Sequence, residues 1–115
     1  MSCLKTLRVF NGRSNTDTLI FGVVKSDGTS ELFDFSLVTR YELTLDAMPN
    51  PIVIDTDTTT DAITNAGSGA LLFDLGDLSI PVGKYPATLV IFSNDFPDGY
   101  VMDVDDGKTM AVDVR

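Results

Sequence analysis

The stretch Val82 to Asp95, VGKYPATLVIFSND, decides the fold. Pro81 to Gly83 reads as a turn, and from Tyr85 the residues alternate. Tyr85, Ala87, Leu89 and Ile91 fall on one side, and Pro86, Thr88, Val90 and Phe92 on the other. A period of two carried by β-branched and aromatic residues specifies a strand. Apolar residues on both faces make it a central one. Pro86 removes a ladder donor, which places it at the strand start or at a bulge.

Working outward, the same period recurs along the chain. Arg40 to Leu45 is the clearest half-buried strand, with Tyr41, Leu43 and Leu45 against Arg40, Glu42 and Thr44. Pro51 to Asp57 continues it after AMPNP, with Ile52 and Ile54 inward. Before these lie Leu4 to Phe10 and Thr18 to Lys25, and a short strand or loop, Leu32 to Leu37, that puts Phe33, Phe35 and Leu37 in phase. After them come Ala70 to Leu75, Tyr100 to Val104 and Thr109 to Arg115. NGRSNTD, SDGTSE, NDFPDG and DDGK supply turn chemistry between them. Residues 56 to 69, TDTTTDAITNAGSG, carry little pattern and read as an exposed, mobile loop; one helical turn over Asp61 to Thr64, capped by Thr60, is the most they suggest.

That gives about eight or nine short strands and no helical period longer than a turn, a spacing that favours an antiparallel arrangement over any βαβ unit. The expected fold is all-β: an immunoglobulin-like antiparallel sandwich of about seven to nine strands, with a small barrel as the alternative. The 115 residues fit one domain spanning 1–115, able to bury roughly two thirds of the surface its unfolded chain exposes.

The formal net charge of −9 argues against nucleic acid, which needs a basic footprint, and against an anionic membrane surface. No apolar run approaches the ~20 residues of a membrane-spanning helix. MSCLKTLRVF lacks the apolar core and cleavage site of a secretory signal, and a lone cysteine, Cys3, suits a reducing cytosol. With no histidine, the chain lacks the usual general base and the commonest zinc ligand. Its glycines show neither phosphate-loop nor dinucleotide spacing. Asp95, Asp98, Asp103, Asp105 and Asp106 sit where aspartate serves turns. Asp55-Thr56-Asp57 and Asp103 to Gly107 gather carboxylates but do not match the twelve-residue calcium loop. The expectation is therefore no enzyme, no catalytic residue, no cofactor and no metal.

Several segments then resemble a known group. RYELTLD (Arg40–Asp46), PIVIDTDT (Pro51–Thr58), GALLFDLGDLSIPVGKYPATLVIFSNDFPDGYV (Gly69–Val101) and the closing VDVR are similar to small phage or prophage tail-associated proteins. The pattern of that group runs through L-x-L-G, in whose place Leu72 to Gly76 stand, and G-x-Y-x-A-x-L-V-I-Y, met by Gly83 to Phe92 with Phe92 in place of Tyr. It ends in N-P-D-G, to which Asp95 to Gly99 correspond, and its usual tryptophan is absent here. More loosely, the chain resembles the immunoglobulin-like module of phage baseplate upper proteins. The resemblance implies a non-enzymatic virion or tail-assembly protein, made in the host bacterial cytoplasm and bound to other tail or virion proteins or to its own copies. A carbohydrate- or calcium-binding module is the alternative.

Two residue-level observations point to contacts. Strands such as Leu19 to Val24 and Leu89 to Phe92 are apolar on both faces, so loops or another chain must cover the outer one. Phe33, Phe35 and Phe96 lie near turns, where aromatics mark contact patches, and are the expected protein-contact residues.

Overall fold

The structure is a computed structural model that describes residues 5–13, 16–24, 27–59, 62–102 and 107–115. Eleven strands and one 3₁₀ turn account for its regular structure: β1 (Lys5–Val9), β2 (Asp17–Ile20), β3 (Gly22–Val24), β4 (Ser30–Leu32), β5 (Arg40–Leu45), β6 (Ile52–Asp55), β7 (Ile63–Gly67), β8 (Ala70–Phe73), the 3₁₀ turn Gly76–Leu78, β9 (Gly83–Phe92), β10 (Tyr100–Val101) and β11 (Met110–Val114). One sheet runs β1-β11-β9-β5-β6, with β10 also on β9, and a second runs β2-β8-β7. A hairpin of β3 and β4 extends beside them.

The two sheets face each other in a sandwich, and neither closes into a barrel. Alternation drives this. β5 turns Tyr41, Leu43 and Leu45 inward, β9 turns Ala87, Leu89 and Ile91 inward, and β11 does the same with Met110, Val112 and Val114. Leu19, Ile63, Leu71 and Phe73 meet them from the second sheet in one continuous core. A fully buried aliphatic side chain of this kind stabilises by roughly 1.5–3 kcal/mol. One contact is similar to a feature of immunoglobulin-like sandwiches. Near the start of β9, the Tyr85 hydroxyl donates to the Pro81 carbonyl at 2.7 Å, as the tyrosine corner of that fold does. Ala87, two residues on and fully buried, stands where antibody domains carry a disulfide cysteine.

Three features depart from expectation. The pairing of β1 with β11 is parallel, while every other described pairing is antiparallel. The segment from Thr18 is split: β2 ends at Ile20 and β3 begins at Gly22, because Phe21 bonds across to Gly69 and Phe33 instead of staying in one ladder. The third concerns residues 56 to 69, which are not a loop throughout. Ile63 to Gly67 form β7, paired with β8, and Ala62 and Ile63 are buried. The proposed helical-turn cap at Thr60 and Asp61 lies outside the described residues, as do Cys3, Leu4, Lys25 and the Asp103 to Asp106 stretch.

Pro86 sits within β9 rather than at its start, beyond the last residue of β5 that pairs with it. β5 pairs with β9 from Ala87 onward, and past that point the Pro86 carbonyl accepts the Asp46 N–H at 2.8 Å. On its other side β9 pairs with β10 and with β11. Thr109, the one buried polar residue among the described residues, lies just before β11. Its hydroxyl accepts the Leu89 N–H at 2.9 Å and donates to the Met102 carbonyl. Thr109→Val keeps the shape and orphans both groups at a buried position. The expected loss is about 1–3 kcal/mol, read as a lower urea midpoint with an unchanged slope. A loss below about 0.5 kcal/mol would show that water satisfies these groups.

Candidate protein-contact site

The segment Phe33 to Thr39, between β4 and β5, converges with the loop Ser93 to Gly99, between β9 and β10. The Thr39 N–H donates to the Phe92 carbonyl at 2.8 Å and fixes the first segment to the end of β9. In the second, Ser93 and Phe96 exchange backbone bonds and the Gly99 N–H donates to Phe96, which makes a tight loop of it. Gly99 has φ +94° and would drive a Cβ to 2.6 Å from Val90, so no other residue fits comfortably.

These two connections bring the three expected contact residues onto one row of rings. Phe21 and Phe35 meet edge-on at 5.8 Å between centroids, Phe35 and Phe33 lie 4.6 Å apart, Phe33 and Tyr100 6.4 Å, and Tyr100 and Phe96 4.9 Å. All four separations suit tilted or edge-to-face aromatic pairs. The row begins in the core and ends in solvent. Phe35 is 2% exposed and also packs against Tyr41, so it is a core residue and corrects the expectation that it forms a contact. Phe33 is half-buried, while Phe96 and Tyr100 are 39% and 44% exposed. Tyr100, an exposed aromatic just after the Pro-Asp-Gly turn, joins them. The surface end of the row is thus Phe33, Tyr100 and Phe96, in fixed positions on a packed base.

Carboxylates neighbour it along the chain. Asp34 follows Phe33, and Asp95 and Asp98 flank Phe96; all three are exposed. Asp34 accepts the Ser36 N–H at 2.9 Å, which holds its carboxyl below the usual range.

Arg40 organises the neighbouring outer face. It stacks on Phe92, 4.5 Å from the ring centre, and grips Asp55 with two N–H groups of its guanidinium. Glu42 and Asp57 lie within 3.6 and 3.3 Å. The end of the outer face of β9 is therefore partly covered from within, Phe92 by Arg40 and Val90 and Phe92 by the backbone at Gly99. Asp55 and Asp57, one of the two calcium candidates, are engaged by this cation. Among the described residues no group of three or more carboxylate, thiol or imidazole side chains is placed to hold a metal ion.

Hydrogen bonds from Arg40 keep the Asp55 carboxyl below its ordinary value, and they outweigh burial, which raises it. A depressed carboxylate stabilises the fold above the unfolded value near 3.9, and that contribution is lost as pH falls through the folded value. Asp55→Asn is thus expected to cost about 1–2 kcal/mol at pH 7, moderated because Arg40 is one-third exposed. The gap to wild type should close as pH drops below about 4. Urea titrations of both chains from pH 7 downward check this, and a gap that does not narrow as the pH falls would assign the loss to packing.

No protein-family model matches the chain, and no curated protein or solved structure matches it either.

Proposed function

We propose that the chain is a non-enzymatic phage structural protein, a virion or tail-assembly component that works through protein–protein contacts. The observation that carries this is the row of rings from Phe35 to Phe96, which presents Phe33, Tyr100 and Phe96 on a rigid base at the junction of two connections. Clustered aromatics over a packed core are the groups on which binding energy concentrates at protein interfaces. The phage reading itself is supported by the segments Arg40–Asp46, Pro51–Thr58 and Gly69–Val101, which resemble tail-associated proteins. Co-expression of the chain with each tail protein encoded in the same genome tests it. A stable complex that is lost with Phe96→Ser is expected. If every tail protein fails to bind, the reading falls.

A further inference from the structure

We propose that the Phe33–Tyr100–Phe96 surface receives a cationic segment of a different protein, one that sets a lysine or arginine beside an aromatic or aliphatic anchor. This rests on the contact reading above and adds the chemistry of the partner. The argument is charge complementarity. Exposed Asp95 and Asp98 flank Phe96 within one tight loop, and exposed Asp34 adjoins Phe33 on the converging segment. Both connections therefore place exposed carboxylates next in the chain to the aromatic residues. Arg40, the cation on the adjoining strand, is stacked on Phe92 and held by Asp55, so it is committed elsewhere. An incoming cation would meet exposed carboxylates, while its anchor would cover the exposed surface of Phe96 and Tyr100. Cations also rest favourably on tyrosine and phenylalanine faces. A second copy fits poorly, because it would oppose the same aspartates to themselves and add its own formal charge of −9.

The test is selection of a random displayed-peptide library on the immobilised full chain, followed by affinity measurement with the enriched synthetic peptides. Enriched peptides should combine lysine or arginine with an aromatic or large aliphatic residue. Their affinity should fall at least about tenfold with Phe96→Ser, several-fold with the double variant Asp95→Asn, Asp98→Asn, and progressively with added salt. Both variants alter exposed side chains, and a thermal melt confirms that each is folded. Peptides that need Phe96 but lack cations, and ignore the double variant, would overturn the cationic partner and leave the contact surface standing. If no peptide depends on Phe96, both ideas fall. A dimer in sedimentation that disappears with Phe96→Ser would replace the proposed partner with a second copy.

Discussion

Phe35→Ser is expected to unfold the protein or nearly so, whereas Phe96→Ser should leave its melting midpoint within a few degrees of wild type. Phe35 is 2% exposed and touches Phe21, Phe33 and Tyr41. Removing a buried ring costs about 3–5 kcal/mol, and serine adds a hydroxyl with no evident partner. A domain of this size has roughly 5–15 kcal/mol in total, and each kcal/mol moves the midpoint by about 4 °C. The drop should therefore be about 12 °C or more. Phe96, at 39% exposure, has much less to lose. Circular-dichroism melts of the two variants decide the matter. Equal losses would make the whole row of rings core, with no surface end to bind anything.

Gly76→Ala is expected to cost about 3 kcal/mol or more, at the severe end of overpacking. A Cβ at this position would lie 2.1 Å from the Arg13 carbonyl oxygen and 2.9 Å from that of Phe10. Neither backbone can retreat easily. The Gly12 N–H donates to the Gly76 carbonyl at 2.9 Å, and the Arg13 N–H donates to Phe10 at 3.1 Å. The turn after β1 is in this way fastened onto the 3₁₀ turn before β9. Gly12→Ala is the control. That glycine has φ +72° with open space around it, so only the left-handed backbone is penalised, by about 1–2 kcal/mol. Denaturant midpoints for the pair should show the larger loss at Gly76, and similar losses would mean that the two turns are not pressed together.

The parts of the fold legible in the sequence are those where one face is core and the other is wet. β5, β9 and β11 alternate cleanly, because each strand sits inside a sheet with its apolar side on the shared core. β7 was not legible, since Thr64, Asn65, Ala66 and Gly67 offer no alternating apolar set. The strand exists because of its pairing with β8 and the anchoring of Ala62 and Ile63. The sequence Gly67-Ser68-Gly69 was the available signal: all three residues have positive φ, and they make the turn of that hairpin. The parallel pairing of β1 with β11 joins residues at opposite ends of the chain, and no local pattern encodes it.

The site shows the same division. Phe33, Phe35 and Leu37 are in phase only if the segment is extended, and a turn at Ser36 and Leu37 breaks that phase. Phe35 consequently enters the core while Leu37 faces solvent at 70% exposure. Apolar residues on both faces of β9 called for a cover from loops or from another chain, and Arg40 and the backbone at Gly99 supply part of it from within the chain. Arg40 could be read as an outward residue of β5, but its grip on Asp55 depends on β5 pairing with β6 in a register that sets Glu42 opposite Asp55.

Mass spectrometry of purified particles, from a phage whose genome encodes this chain, tests the proposed role most directly. The chain is expected in intact virions or in isolated tails, in copy numbers comparable to other tail components. Its absence from particles and from tail-assembly intermediates, despite its presence in the infected cell, would contradict a structural role.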